Sequence, residues 1–196
     1  MENGISESLR RNIPRILAIW EEQAYQNILS SAGVTSLVLK NAIHSFLEYL
    51  ADELSTTVEK TEVRAAQDKL NIVNFAKVHG GGRAIEPLHY TLAEVILEFQ
   101  ILQRVILEIL EEHSSIPTSD RKTIISVINQ ALTAAATQFA EIQRQTQEQF
   151  ALTLVHDLRS PIHAATMGVY IIKQDTTASM ESLHVADKIG KNLGTP

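Results

Sequence analysis

The chain has 196 residues, 44% of them apolar and 20% charged, with a net charge of −6 and no cysteine. That balance belongs to a folded globular protein with room for two units, not to a disordered chain. An acidic chain without a basic stripe lacks the electrostatic footprint of nucleic-acid binding, and zero cysteines exclude disulfides and thiolate metal sites.

Apolar residues recur at helical spacing in every long segment and nowhere alternate cleanly with polar ones, so the predicted fold class is all-α. The first helical region spans about Ser6 to Ser30, with Pro14 opening a helix after a short preceding piece; Gly33 ends it. Thr35 caps a second helix running to about Leu54, with Leu37, Ile43, Phe46, Leu47, Leu50 and Leu54 as its inner stripe. Thr56 with Glu59 is a capping box for a third, which ends at Gly80, Gly81 and Gly82, a plain turn. Thr91 with Glu94 is another capping box. It precedes an amphipathic helix carrying Leu92, Val95, Ile96, Phe99, Leu102, Ile106, Ile109 and Leu110 on one face. Glu98, Gln100, Gln103, Arg104 and Glu108 interrupt that helix too often for a bilayer, and the N-terminus has no apolar signal core. No membrane partner is therefore expected, and the expected location is cytoplasmic.

After Pro117 and Ser119, a single helix is predicted from Asp120 to about Gln174, roughly 80 Å at ~1.5 Å per residue. Its first half carries Ile125, Ile128, Leu132, Ala135, Phe139, Ile142, Thr146 and Gln149 at alternating spacings of three and four, the seam of a two-stranded coiled coil. A homodimer through the long helix follows. The seam turns polar at Thr146 and Gln149, and a new stripe begins with Phe150, Leu154, Leu158, Ile162, Ala165, Val169 and Ile172, a shift that resembles a stutter. A turn around Asp175 to Ala178 leads to a last amphipathic piece through Leu183, Ala186, Ile189 and Leu193.

His156 lies two residues from both Leu154 and Leu158, about 200° round the helix at ~100° per residue, and so faces away from the stripe. Ser160, His163 and Met167 follow on the same face. A neutral imidazole has a lone pair for attack on a phosphoryl group, and Asp157 can accept a hydrogen bond from the other ring nitrogen. Pro161 removes the N–H that would bond the Asp157 carbonyl, which loosens the helix there at a cost of about 3 kcal/mol. His163 reads as an ordinary exposed polar residue.

The run Phe150-Ala-Leu-Thr-Leu-Val-His156-Asp157-Leu158-Arg159-Ser160-Pro161-Ile162 resembles the H-box of sensor histidine kinases. The resemblance implies that His156 is the phosphoacceptor, autophosphorylated from ATP, that Asp157 is the general base, and that the phosphate passes to an aspartate on the receiver domain of a response regulator. Ser160 stands where the family usually carries Thr or Asn assisting dephosphorylation of the regulator, and it keeps a hydroxyl. No Asn-rich ATP box and no D-x-G-x-G loop follow. The chain is accordingly expected to hold no cofactor or metal and to be inactive alone, with ATP and Mg belonging to a catalytic domain outside it.

Residues from about 10 to 112 resemble, through softer motifs, the helical, globin-like sensor domain of RsbR-type stress regulators. The similarity lies in His79-Gly80-Gly81-Gly82-Arg83 and Leu92-Ala-Glu94-Val-Ile-Leu-Glu98-Phe-Gln-Ile-Leu102-Gln-Arg104. Three domains are expected: residues 1–116 a helical, globin-like sensor bundle, 117–149 a coiled-coil signalling helix, and 150–196 part of a dimeric phosphoacceptor hairpin. His79 and His89 raise the question of haem, but a loop position beside three glycines reads as loop or capping histidines. Trp20 and Phe99 read as core rather than a ligand cavity, and Glu94, Glu98 and Arg104 as a solvated or ion-paired face. Two other classes compete with the kinase reading: a non-enzymatic RsbR-like stress-signalling module acting by protein–protein interaction, and a haem or small-ligand sensor whose long helix is a dimer strut.

Overall fold

The computed structural model describes residues 4–28, 37–55, 62–85, 90–112, 115–174 and 179–192. The chain is all-α, and the described elements are α1 (Gly4–Asn27), α2 (Leu37–Ser55), α3 (Glu62–Ile85), α4 (Leu92–Glu111), α5 (Thr118–Gln174) and α6 (Met180–Asn192). Two compact units divide it, Met1–Arg144 and Gln145–Pro196, the division falling inside α5. No described helix is long and apolar enough to cross a membrane.

In the first unit, α1 packs on α2 and α4, and α2 on α3. Leu9, Ile13, Ile16 and Trp20 recur at spacings of three and four, and all are buried. Pro14 does not divide this region as the sequence reading expected: α1 runs through it without interruption. A proline inside a helix costs about 3 kcal/mol, whereas each fully buried large apolar side chain contributes about 1.5–3 kcal/mol; four on one stripe outweigh the break. Polar ties fix the neighbours. Ser6 Oγ donates to the carbonyl of Ala51 at 2.6 Å, Trp20 Nε1 donates to the carbonyl of Glu98 at 3.1 Å, and Arg10 on α1 pairs with Glu48 and Asp52 on α2.

The expected capping box at Thr91 and Glu94 is present: the Glu94 N–H donates to Thr91 Oγ1, and the Thr91 N–H donates to Glu94 Oε2. The expected caps at Thr35, Thr56 and Glu59 lie outside the described residues, as does the turn from Asp175 to Ala178.

The third helix does not end at the glycines. α3 continues through Gly80, Gly81 and Gly82 to Ile85. The physical reason is contact with α5: a Cβ on Gly80 would stand 2.1 Å from the carbonyl oxygen of Ala135, so the two backbones meet where only glycine fits. Gln143 Nε2 reinforces the pairing by donating to the Ala84 carbonyl at 3.0 Å.

That contact also changes the reading of α5. Of the residues assigned to a coiled-coil seam, Ile128, Ala135 and Phe139 are buried in the core of the first unit together with Ile124, Val127 and Ala131. A heptad stripe records only that one face is apolar; here the partner of that face is the chain's own bundle, and the first half of α5 is one of the bundle's helices.

Candidate functional site

In the second unit, every residue of α5 from Gln145 to Ala165 is exposed. The His156 side chain is 82% exposed and that of Asp157 69%. Nδ1 of His156 lies 3.3 Å from Oδ1 of Asp157. A carboxylate only accepts, so the contact is a hydrogen bond when Nδ1 carries the ring hydrogen, and a neutral ring in that tautomer keeps its lone pair on Nε2. The arrangement offers an accessible nitrogen nucleophile oriented by its neighbour. Leu154, Leu158 and Ile162 are each 47% exposed, a half-exposed apolar stripe. Ser160 and His163 share the exposed stretch, and α5 continues through Pro161 to Gln174.

Beyond Pro161, Val169 is buried on α5, as are Ala186 and Gly190 on α6. Lys173 of α5 reaches Asp187 of α6 at 3.6 Å, and Lys191 reaches the same carboxyl at 2.9 Å. The hydrogen bond and charge of Lys191, with Lys173 adding to them, hold the Asp187 carboxyl below its ordinary range. Ile189, expected on the inner face of α6, is 41% exposed, and Leu193 lies outside the described residues.

The first unit holds a cluster that the sequence reading missed. His79 and Arg83, one turn apart on α3, converge on Glu98 of α4, and all three side chains are at most 2% exposed. His79 Nε2 lies 2.9 Å from Glu98 Oε2, while Arg83 donates through Nη2 to Oε1 at 2.5 Å and through Nε to Oε2 at 3.3 Å. Burial alone pushes the Glu98 carboxyl up, but the charge and hydrogen bond of His79, joined by the Arg83 charge, outweigh it and hold the group below its ordinary value. The Tyr90 ring lies 4.4 Å from the Arg83 guanidinium, and burial followed by the Glu98 charge pushes its phenol well above the ordinary range. Phe75 stacks on His79 with centroids 5.4 Å apart, and Phe99 meets the imidazole edge-on at 5.2 Å.

This cluster corrects two expectations. His79 is a core residue inside a helix, not a loop or capping histidine, because the helix runs on through the glycines and carries it inward. Glu98 is ion-paired, as one of its two expected readings had it, but in the core rather than on an exposed face, because α4 is covered on more than one stripe and two basic groups meet the carboxylate there. Glu94 serves the cap, Arg104 donates to Gln23 at 2.9 Å, and Trp20 and Phe99 are core as expected; His89 lies outside the described residues. The missed signal was the register of Ile72, Phe75, Ala76, His79 and Arg83 at spacings of three and four, visible once the helix is allowed past Gly80. No group of three or more His, Asp or Glu placed to hold a metal ion occurs among the described residues.

No protein-family model, curated protein or solved structure matches the chain. Fold and site together define an all-helical protein of two units, one built round a buried ion cluster, the other bearing an exposed histidine–carboxylate pair on its longest helix.

Proposed function

We propose that the chain is the sensory and phosphoacceptor portion of a cytoplasmic two-component sensor histidine kinase, working as a homodimer and phosphorylated on His156. The observation that carries this reading is the thirteen-residue H-box resemblance, centred on an imidazole that is exposed and in contact with the adjoining carboxylate. In the step proposed, Nε2 of His156 attacks the γ-phosphorus of ATP. A nitrogen–phosphorus bond forms, the bond to the bridging oxygen breaks, and ADP leaves with that electron pair. Asp157 accepts the Nδ1 proton as the ring turns positive, which leaves a neutral phosphorylated imidazole and a protonated carboxyl that then gives the proton to solvent. The phosphoryl group then passes to an aspartate of a response-regulator receiver domain, and Ser160, one turn along, is placed to assist its later hydrolysis. ATP and Mg are brought by a separate catalytic domain. A second copy covers the stripe of Leu154, Leu158 and Ile162, since apolar faces of this kind are stable in water only when paired.

The test supplies the full 196-residue chain with an isolated kinase ATP-binding domain and ATP labelled at the γ-phosphate. Acid-labile label is expected on wild type and absent from His156→Gln, with Asp157→Asn slowed by about 10²-fold or more. Equal labelling of wild type and His156→Gln overturns His156 as the acceptor, and no label on either overturns the reading and favours a module acting by protein–protein interaction alone.

A further inference from the structure

A groove of about 490 Å³ opens on the first unit between α2 and α3. Its floor is aromatic: Phe46 and Phe75 stack with centroids 4.6 Å apart, and Tyr49 lies beside them. Its walls carry hydrogen-bonding groups, among them His44, Ser45, Asn71 and Asn74, and at its rim the carboxylates of Glu48 and Asp52 share the guanidinium of Arg10. On its inner side Phe75 packs against His79. The Nδ1 atom of that buried His79 has no hydrogen-bond partner among the described residues. A concave site of several hundred Å³, apolar at its base with a few converging polar groups, is the usual form of a small-molecule site.

We infer that this groove binds a small aromatic ligand that is neutral or cationic, with its ring against Phe46 and Phe75 and its polar groups on Ser45, Asn71 and Asn74. The rim decides the sign: Glu48 and Asp52 share the single guanidinium of Arg10, which leaves one net negative charge there, and no lysine or arginine is among the described residues that line the groove. The inference stands apart from the phosphoacceptor reading, because it concerns the other unit and uses none of the same residues.

Two dyes sharing one skeleton test it on the full chain. N-phenyl-1-naphthylamine is neutral, and 1-anilinonaphthalene-8-sulfonate adds a sulfonate. The neutral dye is expected to bind with increased fluorescence, and the anionic one about tenfold more weakly or worse. Ser45→Trp and Asn74→Trp, which place a large ring at exposed positions in the groove, should each weaken the neutral dye by about tenfold, while Phe150→Ser in the other unit leaves it unchanged. Hydrogen exchange on the wild-type chain with the dye bound settles the matter should a variant fail to fold: protection confined to residues 42–52 and 71–78 supports the groove. Protection at residues 150–172 instead, absence of neutral-dye binding, tryptophan variants that bind like wild type, or equal affinity for the two dyes overturns it.

Discussion

Glu98 is the residue on which the first unit is most exposed to single changes. Its charge is balanced by Arg83 and hydrogen-bonded to His79 in a site from which water is excluded. Removing one member of such a pair strands the other, at a cost of about 3–5 kcal/mol, even where the intact pair adds little over an apolar substitute. Glu98→Gln is expected to lower the unfolding free energy by about that amount in denaturant titrations. The pH dependence has a definite sign. The folded-state pKa of Glu98 lies below its ordinary 4.5, so its contribution is present above pH 4.5 and drains away as pH falls through the folded-state value. Wild type should therefore lose stability on acidification below that point more steeply than Glu98→Gln, and parallel curves would show that the pair carries no linkage. His156 presents the opposite case. It lies in solvent, and its substitution should leave the unfolding free energy within about 0.5 kcal/mol of wild type while removing the label. Its place opposite Leu154 and Leu158 was legible because it depends on helical spacing alone. The burial of Glu98 was not, because a carboxylate on an amphipathic helix reads as belonging to an exposed face until an arginine and a histidine from another helix are brought to it.

At the scale of helices, the three glycines of α3 make a sharp comparison. Gly80 touches the backbone of α5 at Ala135, while nothing lies within 4 Å of a Cβ on Gly82. Gly80→Ala should force the two helices apart and destabilise by about 1–3 kcal/mol. Gly82→Ala meets no obstacle and should stabilise by about 0.5–1 kcal/mol, since alanine gives up less backbone freedom than glycine on entering a helix. Thermal unfolding of the two variants reads the difference directly, and two shifts of the same sign would contradict the close crossing. The glycine run shows why helix ends are weakly encoded. Three glycines serve a turn and a tight helix crossing equally well, and only the approach of Ala135, fifty-five positions along the chain, selects the second. The capping box at Thr91 was readable because its hydrogen bonds close within four residues. Pro14 misled for a related reason: its local cost is visible in the sequence, but the burial that outweighs it is not.

For the molecule as a whole, the two halves of α5 predict two different phenotypes. Phe139 is buried in the first unit, so Phe139→Asp would bury an unpaired charge there and should unfold that unit, with loss of far-UV helical signal. Leu154 and Leu158 stand half exposed in the single chain. Replacing both by glutamate should leave the helical signal of the first unit intact and shift light scattering from twice the chain mass to the 21.8 kDa of one chain. A wild type already at one chain mass at micromolar concentration would refute the dimer. The sequence by itself determined that the chain is helical, where several helices bear apolar faces, and that a histidine and an aspartate stand side by side on the longest one. Periodicity, cap chemistry and adjacency are all properties of short stretches. Only the tertiary structure decided that α3 passes through its glycines, that His79, Arg83 and Glu98 meet in the core, and that the first apolar stripe of α5 is covered by the chain's own bundle. Those outcomes depend on which distant surfaces come together, and an apolar face carries no local mark of what will cover it.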